Sequence, residues 1–215
     1  MSQTLKVAII GVGNIGTAVA ANLVKGSRSV IIADRTFEKA QTLAQKLGPL
    51  AKPALVPEAV KEADIIILAI YFDPIKAFLK EFASELEGKI IVDPSNPIAP
   101  AEGGGFKKII AENESAGQIL STQLPNRVRM VKALGSLGAG SLAEAAHQTV
   151  KAVLFYATDD TSLNTAVEQL ITDTGFDPVR IGGLDQSIRI EVFGDLHEFG
   201  ALAKTVTRAE AEEKV

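Results

Sequence analysis

The sequence predicts an α/β fold, a doubly wound parallel sheet followed by a small carboxy-terminal αβ unit. Three observations carry this. Strand-like and helix-like patterns alternate along the chain. The strand-like runs, such as "DIIILAI" (Asp64 to Ile70), are unbroken and β-branched, as expected where helices cover both faces of a parallel sheet. A glycine triad, Gly11, Gly13 and Gly16, falls between the first strand and the first helix.

Taken in order, "KVAII" (Lys6 to Ile10) reads as a buried strand, and Ala18, Ala20, Leu23 and Val24 give the helical spacing that follows it. "SVIIA" is a second strand, and "FEKAQTLAQKLG" is a helix stopped at Gly48. "PALV" is a weaker third strand, with a short helix at "PEAVKEA". After "DIIILAI" comes the amphipathic "PIKAFLKEFASEL", then the strand "KIIVD". "AEGGGF" reads as a mobile loop, "SAGQILSTQL" as a helix and "RVRMVKAL" as a sixth strand. "GSLGAGSL" is small and flexible, the expected hinge. Beyond it, "VKAVLFYATDD", a helix from Thr161 to Asp173, "FDPVRIGG" and a helix over Ser187 to Lys204 make the smaller unit, ending in a fraying tail.

Composition narrows the function. A chain of 215 residues suits one large domain, or one with a smaller partner. There is no cysteine, which excludes disulfides, thiolate metal sites and a cysteine nucleophile. His147 and His197 are isolated, so no metal site is expected. A net charge of -4 and 5% aromatics offer nucleic acid no basic, stacking surface. No apolar run reaches the ~18 residues of a membrane span, and the start "MSQTLK" does not resemble a signal peptide. The expected location is the cytoplasm.

The triad has the G-x-G-x-x-G spacing, follows a strand and opens a helix, which is the context of a dinucleotide-binding Rossmann fold. Gly11 permits the tight turn, Gly13 lets a pyrophosphate approach the backbone, and Gly16 lets the helix pack closely. The helix amino terminus then offers N–H groups and partial positive charge to the anion. At the end of the second strand, Asp34 stands where a carboxylate binds the ribose 2′-OH of NAD. Arg35, Thr36 and Lys39 stand where they could surround the 2′-phosphate of NADP. Arg35 could neutralise Asp34 or stack on the adenine, and Lys39 reads equally well as a solvated helix residue. The cluster favours NADP and leaves NAD open.

The ordered set "IIGVGNIGTAVAANL", "DRTFEKA", "AIYFDPIKAFL", "GKIIVDPSNPI", "SAGQIL", "VKALGSLGAG" and "HEFGALAK" resembles the NADPH-dependent reductases of the deazaflavin coenzyme F420 and their relatives. The resemblance implies a Rossmann domain over 1–140 and a small domain over 141–215 that completes the substrate cleft, where nicotinamide and deazaflavin stack. It also implies a homodimer. By resemblance, Val12, Gly13, Asn14 and Ile15 hold the pyrophosphate, and Asp34, Arg35 and Lys39 face the adenosine phosphate. Ile70 and Tyr71 line the ribose side, while Asn96, Pro97 and Ala139 lie near the nicotinamide. The chain departs from the family's pattern at Asp34, often a small polar residue, and at Tyr71, often proline. Leu134 and Gly135 replace a common Phe-Asn.

The expected function is hydride transfer between NADP(H) and a small-molecule redox acceptor, a deazaflavin or flavin. That chemistry needs mainly the alignment of two rings, because the cofactors carry it. The alternatives are a small carbonyl or imine reductase and a non-catalytic NADP(H) sensor. A carbonyl or imine reductase needs a proton donor, His197 or an undetected Tyr or Lys. His197 is otherwise read as a packed or surface residue of a carboxy-terminal helix. His147 is read as structural, and "TDD" (Thr158 to Asp160) as a turn and helix cap. Glu191 and Glu198 share a helical face, as a cleft edge or solvated stripe, and Asp93 forms a turn.

Overall fold

The computed structural model describes residues 5–215. The reading of "MSQTLK" falls mostly on residues 1–4, outside the described residues.

The first half follows the predicted alternation: β1 (Val7–Ile10), α1 (Asn14–Lys25), β2 (Val30–Ala33), α2 (Phe37–Leu47), β3 (Ala51–Pro53), α3 (Val56–Glu62), β4 (Ile65–Leu68), α4 (Phe72–Glu81) and β5 (Ile90–Asp93). Then come β6 (Ile98–Pro100), β7 (Phe106–Lys108), α5 (Ala116–Ser121), β8 (Arg129–Ala133) and α6 (Ala139–Glu144). The chain closes with β9 (Val153–Ala157), α7 (Asn164–Asp173), β10 (Asp177–Gly182) and α8 (Arg208–Glu212).

Eight strands form one sheet in the order β3-β2-β1-β4-β5-β8-β9-β10. The strands from β3 to β8 are parallel. Residue alternation explains the two helical layers. Val7 and Ile9 pack with Val19 and Leu23 of α1 and Leu43 of α2. Ala8 and Ile10 turn to the other face, against Val60 of α3, Ile75 and Leu79 of α4 and Leu120 of α5. Each fully buried Leu or Ile contributes roughly 1.5–3 kcal/mol.

The expected carboxy-terminal unit takes the form β9-α7-β10 and extends the same sheet. β9 runs antiparallel to β8, and β10 parallel to β9. The exits of β1, β4, β5 and β8 therefore share one edge, while Thr158 to Asp160 and Gly182 leave from the opposite edge. The topological switch lies between the adjacent strands β1 and β4, where doubly wound sheets bind ligands.

Four local readings change. "AEGGGF" is the tight turn of the antiparallel β6–β7 hairpin, with Gly103, Gly104 and Gly105 all at positive φ. The expected hinge contains α6, which begins after Gly138. The helix expected over Ser187 to Lys204 is a 3₁₀ segment, Leu184–Ile190, followed by turns. The tail forms α8, at whose start Glu210 accepts the Thr207 N–H and hydroxyl and whose Ala211 is buried.

Candidate functional site

The glycine turn has the geometry an anion needs. Gly11 has φ +102°, and a Cβ there would lie 2.5 Å from the Ala69 carbonyl. A Cβ on Gly16 would run into the Gly11 carbonyl, so α1 lies directly against the turn. Gly13 differs from both: a Cβ there would meet nothing within 4 Å. Gly13 begins α1, no side chain caps the helix, and its first turn carries no acid. Open space thus faces the N–H groups of Asn14, Ile15 and Gly16, which suits a pyrophosphate. The Val12 N–H is already engaged, donating to Asp34 Oδ2 at 3.1 Å.

The other oxygen of Asp34 accepts the Thr36 N–H at 2.9 Å. Both carboxylate oxygens thus serve the backbone at the exit of β2. Arg35 and Lys39 are exposed and make no ion pair among the described residues. Lys39 and Val12 line a groove of about 420 Å³ with Thr17, Glu38, Thr42, Leu43 and Lys46. Ile70 follows β4, its Cγ2 2.8 Å from where a Gly11 Cβ would stand. Tyr71 immediately precedes α4 and is 83% exposed.

At the exit of β5, Asn96 bridges two segments. Its Nδ2 donates to the Gly135 carbonyl at 3.1 Å, and its Oδ1 accepts the Val192 N–H at 2.7 Å. Pro97 is buried beside it. Ala139 is the first residue of α6. Glu198 covers that helix end: it accepts the Gly138 N–H at 2.7 Å and the Ser141 hydroxyl. A Cβ on Gly138 would come within 2.8 Å of Cζ of Phe199.

His197 is 1% exposed and fully engaged. Its Nδ1 accepts the Phe199 N–H at 2.9 Å, so Nε2 carries the proton and donates to the Gly135 carbonyl at 3.0 Å. Burial pushes its pKa down to about 4, against the opposing pull of the Gly135 carbonyl and Glu198. It is a neutral clamp with no free nitrogen. His147 is structural too, with Nε2 2.9 Å from the Asn22 carbonyl. Asp160 caps the turn after β9 through the Ser162 N–H at 3.0 Å.

The two glutamates correct the helical reading, for they lie in turns and face different partners. Glu191 is buried and accepts the Ala116 and Gly117 N–H groups, each at 2.9 Å. Asp93, fully buried, bonds Lys132 at 2.8 Å as well as the Ser95 N–H. Lys132 went unremarked in the sequence, although a lysine among the apolar residues of "RVRMVKAL" was the signal. Burial works against its charge, but Asp93 and Glu191 outweigh burial and hold its pKa above the ordinary lysine value. Among the described residues, no cluster of three or more His, Asp or Glu could hold a metal, and no helix is long and apolar enough to cross a membrane.

Residues 6–97 match the family described as NADP oxidoreductase, coenzyme F420-dependent. The chain is 27% identical to the F420-dependent NADP reductase of Methanothermobacter marburgensis over 200 residues, 87% of this chain and 88% of that enzyme. It is 43% identical to the glutamyl-tRNA reductase of Methanococcus maripaludis over 93 residues, 42% of this chain. That stretch spans only 24% of the glutamyl-tRNA reductase. The crystal structure of a hypothetical protein from Sinorhizobium meliloti superimposes with a TM-score of 0.81 at 28% identity, over 95% of this chain and 96% of the other.

Proposed function

We propose that this protein, whose residues 6–97 match the coenzyme F420-dependent NADP oxidoreductase family, is an NADP(H)-dependent oxidoreductase whose acceptor is a deazaflavin or flavin. The observation that carries the reading is the pairing of an open anion cradle at Gly13 with a cleft floor whose ionisable groups are all engaged. Bound NADPH would supply the hydride, and the residues around it would do the holding.

The N–H groups of Asn14, Ile15 and Gly16 take the pyrophosphate, aided by the positive end of α1. Arg35 and Lys39, which make no ion pair among the described residues, take the 2′-phosphate. Asp34 holds the turn for them, and its charge is partly offset by the two N–H groups it accepts. Asn96, Pro97 and Ala139 form the floor under the nicotinamide. The segment 141–215 completes the cleft, since Glu191, Val192, His197 and Glu198 all bond to the exits of β5 and β8 or to the starts of α5 and α6.

Carbonyl or imine reduction would need a side chain to deliver a proton. His197 has both nitrogens in use, and the buried Lys132 is bonded to Asp93 and the Ser95 carbonyl, with Glu191 3.4 Å away. This favours an acceptor that needs alignment only. The test is NADPH oxidation across a deazaflavin, FMN, riboflavin and a quinone. Oxidation with the ring acceptors supports the proposal. Tight NADPH binding without turnover by any acceptor would replace it with a sensor.

A further inference from the structure

Hydride transfer as proposed makes no use of the charge buried beneath the cleft floor. Lys132 lies on β8, paired in register with Asp93 of β5. The side chains of Lys132, Asp93 and Glu191 are 2%, 0% and 3% exposed. The Lys132 Nζ donates to Asp93 Oδ2 at 2.8 Å and to the Ser95 carbonyl, and lies 3.4 Å from Glu191 Oε1. The ammonium group is thus buried and engaged by two hydrogen bonds and one ion pair.

The chain positions of those acceptors give the lysine its role. Ser95 precedes Asn96, and Glu191 precedes Val192. Asn96 and Val192 are themselves joined, Oδ1 to N–H at 2.7 Å. Lys132 therefore grips the residue before each partner of that bond. Asn96 continues the chain of bonds to the Gly135 carbonyl, which also accepts from His197. One ammonium group thus ties the exits of β5 and β8 and the 191–199 loop into a single floor. A buried ion pair is weak evidence for a purely stabilising role, because such groups can often be replaced by apolar side chains of similar volume without loss.

We infer that Lys132 is a positioning residue for the nicotinamide half of the cofactor. It acts through Ser95 and Glu191 to fix Asn96, and touches no reacting atom. The inference rests on the cofactor reading above, and its test separates the two. Full-length wild type, Lys132→Met and Glu191→Gln are titrated with NADPH and with 2′,5′-ADP, which lacks the nicotinamide. Calorimetry reads affinity, and reduced-nicotinamide fluorescence reads how firmly the ring is held. Lys132→Met leaves two carboxylates facing one another and can fail to fold. Glu191→Gln leaves Lys132 its bonds to Asp93 and Ser95 and keeps the question answerable.

In the folded variants, 2′,5′-ADP affinity stays within about threefold of wild type. The bound nicotinamide emission moves toward that of free cofactor, and transfer to any acceptor the wild type reduces falls about 10²-fold, as for a misplaced reactant. A lowered melting temperature with unchanged nicotinamide emission overturns the inference, since the lysine would then be structural only. Parallel losses of 2′,5′-ADP and NADPH affinity overturn it as well. Failure of the wild type to bind either ligand removes the cofactor reading, and the inference with it.

Discussion

The Asp34 carboxylate accepts the backbone N–H of Val12 at 3.1 Å, joining the exit of β2 to the glycine turn. A residue that the cofactor was expected to meet through its charge is thus also a brace for the turn. With the second oxygen on the Thr36 N–H, Arg35 and Lys39 are left as exposed cations that make no ion pair among the described residues.

Arg35→Ala should therefore weaken NADPH by about 1.5–3 kcal/mol, the range for a hydrogen bond to a charged group, and NADH much less. Calorimetry with both dinucleotides decides it. Equal losses would mean that Arg35 stacks on the adenine. A wild type that prefers NADH would give the decision to Asp34.

Two glycines of the turn should fail in different ways. A Cβ at Gly13 meets nothing within 4 Å, so Gly13→Val should keep its fold yet lose both dinucleotides, because the branched side chain fills the cradle. A Cβ at Gly16 runs into the Gly11 carbonyl, so Gly16→Ala should lower the melting temperature as well. Circular dichroism melts beside NADPH titrations separate the cases. A folded Gly13→Val that binds NADPH normally would move the cofactor elsewhere.

The parts of this molecule that were legible in the sequence are those specified locally. The glycine spacing and the β-branched runs of β1, β4 and β5 needed no distant partner to be read. The 184–204 segment failed because Val192, Leu196 and Phe199 stand at the i, i+4, i+7 spacing of a helical face, while long-range bonds set its course. A Cβ on Gly200 would run into the Gly194 carbonyl, so the loop folds tightly back on itself, and Asn96 holds Val192 from 96 residues away. The Lys132–Asp93 pair, 39 residues apart, becomes visible only once β5 and β8 are side by side. The direction of β9 was hidden for the same reason, since its apolar run fits either orientation.

His197 makes a pH prediction whose sign can be worked out. Its pKa falls from the ordinary 6.5 to about 4 on folding, so between those values the unfolded chain binds the extra proton. Stability is then complete above pH 6.5 and is lost as pH falls toward 4, by about 3 kcal/mol from this group. Urea unfolding at pH 7.5, 5 and 4 should show that loss in the wild type and a smaller one in His197→Gln. The same slope in both would mean that the imidazole is not buried neutral. Turnover of His197→Ala should stay within about tenfold of wild type, short of the ~10²–10⁴-fold loss of a general acid or base. A larger loss with NADPH affinity intact would instead promote the carbonyl or imine reductase.

Ala139 tests where the acceptor sits. It opens α6 just after the Leu134 to Gly138 turn, and that turn lies hard against the exit of β5, where a Cβ on Gly135 would run into the Pro94 carbonyl. Glu198 and Phe199 close over the same helix end. Leucine favours helix almost as strongly as alanine, so Ala139→Leu should cost α6 little. Its side chain would instead enter the space proposed for the stacked ring, and a displacement of about 1 Å is enough to lower transfer about 10²-fold. NADPH affinity, dominated by the glycine turn and Arg35, should persist. Stopped-flow hydride transfer beside calorimetry reads both quantities, and an unchanged transfer rate would place the acceptor away from α6.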